Sequence, residues 1–228
     1  MGLDFSEEMI RLHVNVEALL PVADQRILQF VASRQGEGTS TLARAYAKVA
    51  ATEFRKRVLL LDTAWEAGPP SLNGAQAPHG RLSRGSERTV EKALVEQSLV
   101  PDMLNEHLIE KTLVEPGDEP YFFFPAPVRQ STVPAAGQAL LIEHTFATLR
   151  KRFDVVVVDS PPVHKSSYSL VMARQADGVI LVVEATRTRW PVARNAKHTI
   201  VKAGGNVVGM ILNKRRAYIP SLFYKRFA

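Results

Sequence analysis

Eight consecutive residues, Ser33, Arg34, Gln35, Gly36, Glu37, Gly38, Thr39 and Ser40, separate a short apolar run (Arg26 to Ala32) from an alanine-rich stretch with helical spacing, LARAYAKVAATEF. A strand, a glycine-containing turn and a helix start can gather several backbone N–H groups and the positive end of a helix dipole around one anion, so the spacing points to a phosphate site. Two carboxylates sit where they could serve it. Asp62 closes the apolar run Val58 to Leu61, and Asp159 closes Val155 to Val158. The carboxyl ends of strands in an open parallel sheet share the edge at which such sheets bind ligands. Each feature alone also has a plainer reading: GEG as a tight turn, and either aspartate as a cap after a strand.

Those residues need elements to hold them. The segment from 6 to 20 predicts an amphipathic helix, with Met9, Ile10, Val14 and Val16 to Leu19 on or near one face and Glu7, Glu8 and Arg11 on the other, ended by Pro21. Further strands are predicted at Tyr121 to Phe124, Val155 to Val158, Val179 to Val183 and Val207 to Leu212, and helices at Gly137 to Arg152 and Trp190 to Ala203, the last stopped by Gly204-Gly205. From Trp65 to about Arg88 the chain reads as a long connection rich in Pro, Gly, Ser and Arg, and from Thr89 to Lys111 as helical turns. Strands that are apolar throughout and alternate with helices predict an α/β fold, a three-layer αβα sandwich around a mainly parallel sheet.

Composition narrows the classes. With 228 residues the expectation is one domain (1–228), including an N-terminal helical segment (1–24) and a basic, aromatic tail (214–228). The absence of cysteine excludes disulfides and thiolate metal sites. Histidines at positions 13, 79, 107, 144, 164 and 198 show no metal-ligand spacing, although His164, after Pro161-Pro162-Val163, either faces the site or lies on the surface. The net charge of +6 is scattered except near the C-terminus, which argues against nucleic acid. No signal peptide and no apolar run of the roughly 20 residues needed to span a bilayer is seen, so a cytoplasmic protein is expected.

Against the phosphate-loop pattern GxxxxGK[ST], the chain keeps Gly38 and Ser40 but places Thr39 where the lysine belongs. Three stretches together resemble the bacterial tyrosine kinases of capsule and exopolysaccharide synthesis, a deviant-Walker branch of the P-loop NTPases. SRQGEGTST is similar to their SxxPGEGKST loop, RVLLLDTAW to hhhDxDxR, and RFDVVVVDSPPV to FDxxxxDTPP. ADGVILVVEATRTR and AGGNVVGMILNK are similar to the strand with a TxR turn and to the AGxNVxGxVLN end, so the resemblance runs from about Glu8 to Asn213. It implies a P-loop NTPase-like fold that takes ATP or ADP with Mg2+. The implied nucleotide contacts are Arg34, Gln35, Gly36, Glu37, Gly38, Thr39, Ser40, Thr41 and Asn213, the metal residues Ser40, Asp62 and Asp159, and the remnant catalytic pair Asp62 and Asp159.

The departures from that pattern point to lost chemistry. Besides Thr39, the family's second aspartate is Ala64 and its arginine is Glu66. Phosphoryl transfer depends on positioning and on neutralising charge, so the expectation is a catalytically impaired pseudokinase that regulates or scaffolds polysaccharide synthesis and export. The alternatives are an active tyrosine autokinase or ATPase with a non-standard loop, and a partition or positioning ATPase. Arg34, in the place of the signature lysine of partition-type relatives, either compensates for Thr39 or faces solvent. Glu8 and Arg11 correspond to the first two positions of the family's ExxRxxR oligomerisation motif, whose third position here is Val14; two exposed helix charges are the plainer reading. The resemblance further implies a membrane polysaccharide copolymerase as partner through its cytosolic segments, a location at the inner face of the plasma membrane, and a homo-oligomer or a hetero-oligomer with an intact homologue. Tyr218 and Tyr224 are the candidate phosphoacceptors, in a basic tail that meets an anionic membrane or a partner loop, or is simply solvated.

Overall fold

The computed structural model describes residues 5–64, 113, 117, 119–125 and 136–215. The connection from 65 to 88, the helical turns from 89 to 111, Glu66, Tyr218 and Tyr224 lie outside the described residues. The elements run α1 (Ser6–Leu19), β1 (Arg26–Ala32), α2 (Thr39–Thr52), β2 (Val58–Asp62), β3 (Phe122–Pro125), α3 (Ala136–Arg152), β4 (Val155–Ser160), α4 (Ser167–Gln175), β5 (Gly178–Glu184), α5 (Trp190–Lys202) and β6 (Val207–Asn213). All paired strands are parallel, in the order β3-β2-β4-β1-β5-β6. Among the described residues no helix is long and apolar enough to cross a membrane.

The predicted α/β sandwich follows from side-chain alternation along the strands. Leu28, Phe30, Leu60, Val157, Ile180 and Val182 pack on one face with Met9 and Val16 of α1 and Leu42 and Tyr46 of α2. Ile27, Leu59, Leu61, Val156 and Val158 point the other way, toward Phe146 and Leu149 of α3 and Met172 of α4. Val31, Val179 and Leu181 complete that face under Ala193, Ala196 and Ile200 of α5. Burial on both faces is why these strands carry unbroken apolar runs.

Three sequence expectations are corrected. The buried side of α1 is Met9, His13 and Val16, whereas Val14 and Leu19 are exposed, because the contact with α2 follows a narrower stripe than the apolar residues suggest. α2 begins at Thr39, ahead of its alanine-rich pattern. α4 was not anticipated: it starts where the Ser166 hydroxyl accepts from Tyr168 N at 3.2 Å, and buried Gln29 of β1 holds it by donating from Nε2 to the Ser169 carbonyl at 2.9 Å. At the end of α5, Gly204 takes a φ of +90°, the left-handed turn expected there.

Candidate functional site

β1 is flanked by β4 and β5, so the turn after β1 opens where the chain's path across the sheet reverses. That turn is the glycine loop. Gly36 and Gly38 have φ of +84° and +91°, values that L side chains adopt only under strain. A Cβ on Gly38 would also fall 2.3 Å from Asn213 Nδ2. The same Nδ2 donates to the Glu37 carbonyl at 2.8 Å, which ties the end of β6 to the loop.

Glu37 fixes the loop from within. Its carboxylate accepts from Ser33 Oγ at 2.9 and 3.0 Å, Arg34 N at 2.8 Å, Glu184 N at 3.3 Å and the Thr188 hydroxyl. What Glu37 can offer a ligand is therefore its backbone. Lys214 adds an outer clasp, donating from Nζ to the Gly36 carbonyl and pairing with Glu184 at 3.3 Å. His164, largely exposed, reaches the Ser33 carbonyl through Nδ1 at 3.1 Å. Arg34 and Gln35 lie exposed on the loop. Arg34 and His164 line a cavity of about 420 Å³ with Val192 and Thr199 of α5.

The two strand-end acids are brought side by side. In the parallel register of β2 and β4, Asp62 stands opposite Asp159, and both are about 1% exposed. Asp62 Oδ1 accepts from Ala64 N at 3.1 Å. The Asp159 backbone carbonyl takes both the N–H and the hydroxyl of Thr63, at 2.9 and 2.8 Å. Burial pushes the Asp159 carboxyl up to about 8, and the like charge of Asp62 pushes the same way; a hydrogen bond from Ser40 and the charge of Arg44 oppose them. Sequence reasoning missed Arg44, whose guanidinium lies 3.8 Å from Asp62 Oδ2. Its signal, a basic residue one helical turn beyond Ser40, was hidden in an alanine-rich run.

Asp159 Oδ1 is buried without a hydrogen-bond partner. That atom, the neighbouring Asp62 carboxylate and the Ser40 hydroxyl bonded to Asp159 are hard oxygen donors of the kind a divalent cation takes. Thr39, at the first position of α2, is mostly buried, while Thr41 is exposed. Glu8 and Arg11 lie on the solvent side of α1, where Arg11 pairs with Glu7 and Val14 is also exposed. The loop residues, Ser40, both aspartates and Asn213 thus meet at one edge of the sheet, and Glu8 and Arg11 belong to a separate surface.

The chain is 24% identical over 196 residues to the tyrosine-protein kinase CpsD of Streptococcus agalactiae serotype III, an alignment covering 84% of this chain and 75% of CpsD. It is 32% identical over 100 residues to CapB of Staphylococcus aureus, which covers 44% of this chain and 42% of CapB. In sequence the chain is similar to bacterial tyrosine kinases. The kinase domain of Escherichia coli ETK superposes with a TM-score of 0.64 at 17% identity, over 94% of this chain and 78% of that one. A plasmid partition protein of Borrelia burgdorferi superposes at 0.55 with 15% identity, over 90% and 87%. The fold is thus shared with bacterial tyrosine kinases and partition proteins, and the sequence similarity is to the kinases. No protein-family model matches the sequence.

Proposed function

We propose that this chain is a catalytically impaired, tyrosine-kinase-like regulatory or scaffold protein of capsule or exopolysaccharide biosynthesis and export. It would act with a membrane polysaccharide copolymerase at the inner face of the plasma membrane. The observation that carries the reading is an uneven site. Ser40, Asp62 and Asp159 remain together on the metal side, while the groups that should neutralise phosphate and activate the attacking hydroxyl are Thr39 and Ala64. The sequence relatives are named as tyrosine-protein kinases, and the pathway and partner come from the motif resemblance.

The surviving residues have definable tasks. Gly36 and Gly38 let the loop curve so that backbone N–H groups at the start of α2 can bind a phosphate. Glu37 holds that curve without contributing charge to the phosphate side. Ser40, Asp62 and Asp159 would hold Mg2+, which supplies charge neutralisation between phosphate oxygens when bound. Thr39 replaces a flexible ammonium by a short hydroxyl. Loss of one charge-assisted hydrogen bond, worth roughly 1.5–3 kcal/mol, weakens nucleotide binding about 10- to 100-fold.

Calorimetric titration with ATP and ADP in Mg2+, wild type against Thr39→Lys, tests this. The expected result is no wild-type binding at millimolar nucleotide and recovered binding in the variant. Micromolar binding by wild type with phosphotyrosine formation overturns it, and loss of that activity in Arg34→Ala would identify a working kinase that uses Arg34. The partnership has its own test, capture of the chain by immobilised cytosolic segments of the cognate copolymerase; failure with every segment removes the scaffold role.

A further inference from the structure

The acid pair at the ends of β2 and β4 already faces a cation from its own chain. Arg44 lies on α2 one turn beyond Ser40, and its guanidinium sits 3.8 Å from Asp62 Oδ2. Its side chain is about a quarter exposed, whereas that of Asp62 is almost fully buried. The separation is within ion-pair range but long for a hydrogen bond, so the contact is chiefly electrostatic. Its strength comes from the buried carboxylate, because charges interact more strongly away from water. The packed face of α2 is made by Leu42, Ala43, Tyr46 and Ala47, and Arg44 lies beside that face rather than within it.

The other atoms of the pair fix what that cation does. Asp62 Oδ1 is committed to Ala64 N, so Oδ2 is the oxygen that turns toward α2 and Arg44. Asp159 stands in register beside it and keeps Oδ1 without a hydrogen-bond partner. A dication sharing these carboxylates would meet the positive charge of Arg44 at close range in poorly solvated surroundings. The two cations compete for one acid pair.

We propose that Arg44 is a built-in counter-cation that occupies the electrostatic place of a divalent metal at Asp62, so that metal binds only when the Arg44 guanidinium is displaced. This rests on the reading of Ser40, Asp62 and Asp159 as the metal side, and it adds the residue that sets how tightly that side takes a metal. The effect is a specificity switch at the site. An unmodified acid pair accepts a free dication, whereas this pair holds a tethered monocation by default.

Mn2+ titration of the full chain, followed by the electron paramagnetic resonance signal of free Mn2+ without nucleotide, tests it at constant pH and salt. Removing the opposing charge in Arg44→Ala should tighten Mn2+ binding by about tenfold or more. Arg44→Gln, closer in shape, should do the same, and Arg44→Lys should stay near wild type. The gain should vanish when Asp159→Asn is combined with Arg44→Ala. Circular dichroism and a thermal melt establish that each variant is folded, and Arg44→Gln carries the test if Arg44→Ala is not. Unchanged or weaker binding in the folded neutral variant, with binding still lost in Asp159→Asn, overturns the role of Arg44 and leaves the metal site standing. Binding that survives Asp159→Asn, or its absence from every protein, overturns the metal-site reading and this inference together.

Discussion

Glu37 sits in the middle of the glycine loop, yet its carboxylate is spent inside the protein. It is about 1% exposed and satisfies two hydroxyls and the backbone N–H groups of Arg34 and Glu184. Glu37→Ala would strand those donors in a buried place, which should cost about 3 kcal/mol in equilibrium urea unfolding. Glu37→Gln, whose amide oxygen still accepts, should lose less. Equal stability of Glu37→Ala and wild type would mean that the loop is held chiefly by Asn213 and Lys214. The resemblance carries Glu37 over as a nucleotide contact by its position in the motif, and position in a motif does not give the direction of a side chain. Asp62 and Asp159 were legible for the opposite reason: a strand end fixes where a residue lies whatever its rotamer. Arg44 was missed because its meaning depends on a carboxylate 18 positions downstream that only the packing of α2 against β2 brings near.

At the scale of elements, the docking of α1 onto α2 contains a titratable joint. His13 is buried with Nδ1 2.8 Å from the Tyr46 hydroxyl, and its ring centroid lies 3.8 Å from that of Phe54. Burial lowers the pKa of His13 below its usual 6.5; Glu17, itself paired with Arg26 at 3.2 Å, pulls it up, and Lys56 adds to the lowering. The folded state then binds fewer protons than the unfolded one. The stability that neutral His13 contributes is full above pH 6.5 and is lost as pH falls toward its lower folded value. Thermal midpoints should therefore fall more steeply between pH 7 and 5 for wild type than for His13→Gln, and parallel profiles would refute the joint. This buried histidine shows how far the pattern of elements was readable. β1 was predicted with the bounds observed, because an apolar run covered on both faces leaves little ambiguity. The helix α4 was not, since SYSLVMARQ is short and its apolar residues are contiguous, and its position depends on Gln29, distant in sequence.

At the scale of the whole molecule, the described aspartates that flank the strands divide by which edge of the sheet they occupy. At the amino edge, Asp177 accepts a forked pair from Arg150 at 2.7 and 3.0 Å and the Ile27 N–H at 2.7 Å, joining α3, β1 and β5. Asp154 similarly accepts from Arg57 N at 2.7 Å, ahead of β2 and β4. At the carboxyl edge, Asp159 is buried beside a like charge and keeps an oxygen without a hydrogen bond. Sites that hold uncompensated charge commonly do so at the expense of stability, so the two edges should answer substitution in opposite ways. Asp177→Ala should destabilise the fold by about 2 kcal/mol or more and leave Mn2+ affinity unchanged. Asp159→Asn should abolish Mn2+ binding without destabilising the protein at neutral pH. Its pH dependence has a definite sign. Because the folded carboxyl titrates near 8, above the unfolded 3.8, the stability associated with its neutral form is complete below the unfolded value and is lost as pH rises through about 8. Asp159→Asn, which cannot ionise, should therefore gain on wild type progressively from pH 5 to pH 9 in thermal melts. A variant that instead loses stability uniformly across that range would place Asp159 with Asp177, as a structural acid, and would remove the charge conflict from the account of this site.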